Sequence, residues 1–255
     1  MTVDLIPGAE PWTHVADGAS AGVLVLHGFT GNPSSMRGMA EAFAAAGLHV
    51  EMPRLPGHGT TIDDMLTTTW PDWLGEAEAA YARLAERASV IVVAGLSMGG
   101  AITLHIGSLH PDVAGLVCVN PAAQPLPAEL MTMLLGMLDD GTTVMPGIGS
   151  DIADPGVVES AYDGAPLPQL LSLTNDGLAP LAELLPEMTV PLLLINSRND
   201  HVVDPGQAEF LAATYGGPVE RVTLERSFHV ATQDLEKDIV FARSVEFALR
   251  VTTAP

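Results

Sequence analysis

A mostly parallel β-sheet covered by helices on both faces is the fold class this sequence predicts. Two observations carry the prediction. Short β-branched runs alternate along the chain with Ala-rich segments of helical pattern, and Gly and Pro residues punctuate the joins. The 255 residues, 47% of them hydrophobic, also suffice for one large core with an inserted subdomain.

The elements follow in order. "GVLVLHG" (22–28) reads as a buried strand and "SSMRGMAEAFAAAG" (34–47) as a helix stopped by glycine. "LHVEMP" gives a second strand, and "PDWLGEAEAAYARLAERA" (71–88) an amphipathic helix with a proline near its start. "SVIVVAG" is the next strand, "SMGGAITLHIGSLH" a helix closed by Pro111, and "VAGLVCVN" a strand. Later come strand "VPLLLIN" (190–196), helix "DPGQAEFLAATYG" (204–216), strand "VERVTLE" (219–225) and a last helix from Asp234 to Arg250. Residues 121–180 break this rhythm, being rich in Pro, Gly and Met with no legible buried strand. Structureless loops of that length are uncommon in compact domains. This stretch is therefore expected to be a cap of short helices, inserted into a core made of residues 1–120 and 181–255.

Composition narrows the function. The formal net charge is −21 with a single lysine, Lys237, which opposes nucleic acids and anionic membranes. No apolar run approaches the roughly 20 residues of a membrane span, and the acidic, proline-broken start "MTVDLIPGAEPW" lacks the pattern of a secretion signal. The expectation is a cytoplasmic protein without stable membrane insertion. The lone cysteine, Cys118, lies in the apolar run "GLVCVN" and reads as a buried small hydrophobe. No His, Cys or Asp cluster has metal-ligand spacing, so no metal and no cofactor is expected.

The chemistry centres on "VVAGLSMGGA" (92–101). Gly-x-Ser-x-Gly is a common pattern, and its placement is what matters. Ser97 follows a strand and opens a helix, with only a tight turn between them. Such a turn forces positive φ on the serine and projects its hydroxyl off the strand end, while Gly95 and Gly99 let strand and helix pass closely. The other reading is a serine that merely caps the helix. A serine nucleophile needs a base, and this topology supplies acid and base later, in the order Ser, Asp, His. "SRNDHVVDPG" offers Asp200 and Asp204. Asp204 precedes Pro205 and a helical run and reads as a cap, which leaves Asp200 as the acid. "RSFHVAT" places His229 after the following strand, as the base. His201, beside Asp200, reads as lining the site or capping the loop, His58 as shaping a turn, and His105 and His110 as structural. Backbone N–H groups of Met98 and of Phe29, in "HGFTGNP", are the expected oxyanion donors, with His27 and Gly28 holding that loop.

Together "HGFTGNPSSMR", "PRLPGHGTTIDDM", "GLSMGGA", "PGIGSDI", "SRNDHVV" and "FHVATQD" resemble the bacterial monoacylglycerol lipases and small thermostable carboxylesterases of the α/β-hydrolase fold, over about residues 5–250. The resemblance implies the same nucleophile, acid, base and oxyanion donors, and a small cap over the site. It implies ester hydrolysis through an acyl-enzyme, with a small lipid ester as substrate. The first part of the cap, "LPAELMTMLLGMLDDGTTVM", matches no family pattern. Its Met131, Met133, Leu134, Leu135, Met137 and Leu138 could line an adaptable acyl site or simply pack on the core. Glu159, in "VVESAY", is the candidate acceptor for glycerol hydroxyls, with an exposed helix charge as its alternative reading. Ile148, in "PGIGSDI", is a second expected substrate contact. Rival functions are a broad carboxylesterase, a thioesterase, and a non-catalytic ligand receptor on the same fold. Dehalogenase and epoxide-hydrolase chemistry is disfavoured, since those relatives carry Asp where this chain has Ser97. The sequence sets no oligomeric state.

Overall fold

The computed structural model describes residues 4–253. Its strands are β1 (Trp12–His14), β2 (Ala21–Leu26), β3 (His49–Met52), β4 (Val90–Leu96), β5 (Gly115–Val119), β6 (Val144–Pro146), β7 (Gly164–Pro166), β8 (Leu192–Ser197) and β9 (Val219–Leu224). Seven of them form one sheet in the order β1-β3-β2-β4-β5-β8-β9. Only the β1–β3 pairing in that sheet is antiparallel. The helices are α1 (Arg37–Ala45), α2 (Ile62–Met65), α3 (Trp70–Ala85), α4 (Met98–Leu109), α5 (Ala128–Asp139), α6 (Leu167–Ser172), α7 (Leu181–Leu184), α8 (Gly206–Thr214) and α9 (Lys237–Thr253).

The central strands are apolar on both faces because both faces are covered. Along β2, Leu24 and Leu26 point to one side, where they join Trp73, Ala77 and Leu84 of α3, Leu104 of α4 and Leu211 of α8. Val23 and Val25 point to the other, against Met39 and Phe43 of α1 and Val240 and Phe247 of α9. The predicted three-layer α/β architecture is present. Helix α3 begins where the sequence places it, and its first turn is closed by Asp72, whose carboxylate accepts from the Thr69 N–H at 2.8 Å. The last helix starts at Lys237, later than predicted, because Asp234 and Glu236 instead accept main-chain N–H groups of residues 225–228.

Between β5 and β8 the chain makes α5, α6 and an antiparallel ribbon of β6 and β7. The ribbon was not expected; each arm is three residues long and ends in proline. Leu134, Leu167 and Leu171 form a small apolar cluster of their own, whereas Leu173, Leu178, Leu181 and Leu185 pack into the core beneath the sheet. No helix among the described residues is long and apolar enough to cross a membrane.

Candidate active site

Ser97 is the single residue between the end of β4 and the start of α4. Its backbone has φ 56° and ψ −118°, the positive φ that the tight turn demands. Its side chain makes no capping hydrogen bond to the helix, so the capping reading fails. The flanking glycines are required sterically. A Cβ on Gly95 would stand 2.1 Å from the Gly99 carbonyl oxygen, and one on Gly99 would stand 2.3 Å from that of Leu26.

Asp200 and His229 reach the site from the loops after β8 and β9. His229 Nδ1 and Asp200 Oδ2 are 2.7 Å apart, with both side chains almost fully buried. Asp200 Oδ1 accepts from the N–H groups of Val202 and Val203, each at 2.8 Å, which fixes the carboxylate. With Nδ1 engaged, Nε2 is the nitrogen left for the cavity that Ser97 and His229 both line. Asp204 lies one residue before the N-cap position expected of it, which Pro205 takes, yet its Oδ1 still accepts from the Gly206 N–H at 2.6 Å.

The loop after β2 is held by His27. The Leu55 N–H donates to His27 Nε2 at 3.1 Å, so Nδ1 carries the proton and donates to the Gly28 carbonyl at 3.0 Å. That peptide is trans, so the Phe29 N–H points opposite to the Gly28 carbonyl. Among the described residues, neither the Phe29 nor the Met98 N–H donates to another protein atom. Gly28 makes no left-handed turn in this loop. Its φ is ordinary, and a Cβ there would meet Ser97 Cβ at 3.3 Å; the positive φ belongs to Thr30, at 60°. Burial holds both His27 and His58 well toward their neutral forms, His58 down to about 4. His58 Nδ1 donates to the Pro56 carbonyl, as a turn-shaping residue should. His105 binds the Gly177 carbonyl and His110 pairs with Glu78, both structural contacts.

The cavity over Ser97 measures about 310 Å³. Leu126, Leu130, Leu134, Met145 and Leu170 give it an apolar side, and Ile148 and Glu159 also line it. The expected Met/Leu patch on α5 divides. Leu134 is buried at 1% exposure, while Met133 and Leu135 face outward at 51% and 50%. Glu159 has no hydrogen-bonded partner for its carboxylate among the described residues. Burial raises its pKa, an effect opposed by His229 and reinforced by Asp151.

Sequence reasoning missed the residues that hold this arrangement. Asn120 stands at φ 42° at the end of β5 and donates to the His229 carbonyl at 2.7 Å. Asp234 accepts from the N–H groups of Ala153, Asp154 and Phe228. Asn32 donates to the Ser160 carbonyl at 2.6 Å, and the Tyr162 N–H to that of Thr30 at 3.1 Å. Asp151 accepts the His229 N–H at 3.0 Å and bonds the His201 ring at 2.8 Å. Its presence inside "PGIGSDI" was the only sequence signal. His201 therefore ties loops together, and it is His229 whose ring meets Asp200.

A family described as serine aminopeptidase, S33 (Hydrolase_4) matches residues 17–236. The chain belongs to this family. Within it, the chain is 42% identical to a thermostable monoacylglycerol lipase of Bacillus sp. (strain H-257) over 95% of each protein. It is 26% identical to a carboxylesterase of Bacillus subtilis (strain 168), over 90% of this chain and 93% of that one. A solved structure reported with the metagenome-derived lipolytic enzymes LipS and LipT superposes with TM-score 0.91 at 42% identity, covering 97% of this chain and 100% of that one. A monoacylglycerol lipase structure from Paleococcus ferrophilus shares the fold, with TM-score 0.72 at 15% identity over 95% of this chain and 99% of that one. The expected α/β-hydrolase fold and lipase–carboxylesterase kinship are borne out.

Proposed function

We propose that this Hydrolase_4 member hydrolyses carboxylic esters, monoacylglycerols above all, to fatty acid and alcohol. One observation carries the reading: a serine at the strained β4–α4 turn and a histidine ordered by a buried carboxylate share one largely apolar cavity. His229 Nε2 takes the Ser97 proton as the hydroxyl attacks the ester carbonyl. Asp200 holds the imidazole tautomer and stabilises the imidazolium. The Phe29 and Met98 N–H groups receive the oxyanion. His229 then protonates the leaving alcohol and activates the water that frees the acid. The apolar wall from α5 and α6 suits an acyl chain, and Glu159 with Ile148 suits the glycerol end. A carboxylate without a protein donor is ready to accept from two hydroxyls.

Residues 121–180 serve in this reading as the cap. The separate cluster of Leu134, Leu167 and Leu171 supports it, while Leu173 and Leu178 draw its inner edge closer to residue 172. The same reading keeps the enzyme in the cytoplasm, in accord with a single unpaired cysteine.

The test compares hydrolysis of lauroyl-glycerol and ethyl laurate, with Ser97→Ala as the blank. A dead blank and a clear preference for the glycerol ester support the reading. Equal rates on both esters make the chain a general carboxylesterase. An active Ser97→Ala variant removes the nucleophile assignment. Labelling of Ser97 by a fluorophosphonate without turnover would point to a receptor or a slow hydrolase.

A further inference from the structure

Asp200 and His229 stand on separate loops, after separate strands, and only one side-chain hydrogen bond joins them directly. A third segment fixes their spacing. Asp151, 8% exposed, comes from the stretch between β6 and β7. Its Oδ2 accepts from the His229 N–H at 3.0 Å and from the His201 N–H, next to Asp200, at 3.1 Å. One oxygen atom thus gauges the distance between the two backbones. Oδ1 meets His201 Nδ1 at 2.8 Å, and the Asp151 carbonyl accepts from the Val230 N–H at 3.1 Å. Two and three residues on, the Ala153 and Asp154 N–H groups donate to Asp234, which also accepts from the Phe228 N–H. "PGIGSDI", "SRNDHVV" and "FHVATQD" meet at this carboxylate.

We propose that Asp151 is a positioning residue, which sets the register of Asp200 and His229 by binding both of their loops through one carboxylate oxygen. Asp151 also lines the cavity over Ser97, but both of its oxygens are taken up by the His201 and His229 loops. Its role rests on the catalytic reading of Ser97, Asp200 and His229 above. A displacement of about 1 Å in a reacting group can cost a hundredfold in rate. A Coulombic role for its charge, or simple support of the fold, are the competing explanations.

Two variants separate these. Asp151→Asn removes the charge and keeps the geometry: its amide oxygen can stay on both N–H groups while its NH2 faces a His201 of the other tautomer. Asp151→Glu keeps the charge and moves the oxygens by a bond length. Steady-state kinetics on a soluble chromogenic ester give kcat and KM. Proton NMR follows the downfield resonance of the His229 Nδ1–H bonded to Asp200. Thermal melting follows the fold. The expected result is an Asn variant within about fivefold of wild-type kcat with the resonance kept. The Glu variant should lose about 30- to 300-fold in kcat at little-changed KM, its resonance broadened or shifted. A folded Asn variant that loses more than about 30-fold overturns the proposal in favour of charge, and this arm stands even if the Glu variant does not fold. A folded Glu variant with wild-type kcat and an unmoved resonance overturns it outright. Equal kcat losses in both variants that track their melting temperatures assign Asp151 to the fold alone. The resonance reports the Asp200–His229 contact whatever reaction follows, so a failed catalytic reading shows in Ser97→Ala and not here.

Discussion

Ser97, Thr30 and Asn120 are the non-glycine residues with positive φ among the described residues, and all three lie in or beside the loops proposed for catalysis. Such backbones cost about 1–3 kcal/mol each and persist where the surroundings over-determine them. Around Ser97 they are held by β4, by the zipper to residues 160–162 and by the His229 loop. Replacing Ser97 by Ala is expected to lower kcat by at least about 10⁴-fold with melting unchanged, in a stopped ester assay. Glu159→Ala should lower kcat/KM on lauroyl-glycerol by about tenfold or more while sparing ethyl laurate, as loss of a charged hydrogen bond does. Equal losses on both esters would remove Glu159 from the alcohol end. Buried His58 gives a pH prediction. Its pKa falls from 6.5 to about 4 in the folded chain, so the fold favours the neutral ring. Stability is therefore full above about 6.5 and is lost as the pH falls toward about 4, by an amount on the order of 2 kcal/mol at pH 5 from this group alone. Urea midpoints at pH 7 and pH 5 check the loss, and the His58 ring resonances should stay flat between them. The proposed triad could be read from the sequence because each member follows a recognisable strand. Asn120 and Asn32 could not, because they act through hydrogen bonds to residues far along the chain and carry no local pattern, and Asp151 stood out only as a member of "PGIGSDI", with nothing local to show its role.

At the scale of elements, the buried strands were readable to within a residue or two, since apolar runs bounded by Gly and Pro have few other solutions. β1 escaped notice as a three-residue edge strand with half-exposed positions, and β6 and β7 because short proline-ended arms show no alternation. The crossing of β4 and α4 is the tightest contact in the site. Gly99→Ala would drive a methyl group into the Leu26 and His27 carbonyls, at 2.3 and 2.7 Å. The expected outcome is a variant that is insoluble or melts far below wild type, by scanning fluorimetry. Gly136→Ala, with nothing within 4 Å of the new methyl group, is the matched control and should melt at or above wild type.

The whole molecule carries 31 acidic and 10 Lys or Arg residues. Its cations are mostly spent in pairs, Arg83 and Arg87 with Glu51, and Arg243 and Arg250 with Glu220. The remaining carboxylates repel one another over a surface where salt screens them. Added sodium chloride, from 10 to 300 mM, should therefore raise the melting temperature by several degrees; an unchanged or lower value would contradict this account.

The stretch from Asp151 to Tyr162 is fastened at both ends to the catalytic loops, while α5 leans on a cluster of three buried leucines. The opening over Ser97 is thus a caliper with one fixed jaw. Glu159 rides the fixed jaw, so under the proposed function the alcohol would be measured against a rigid gauge and small changes there would be felt in full. Under the same proposal the acyl chain would meet α5, whose one fully buried residue is Leu134. Selectivity should accordingly be steep across a series of alcohols and shallow across a series of acyl lengths.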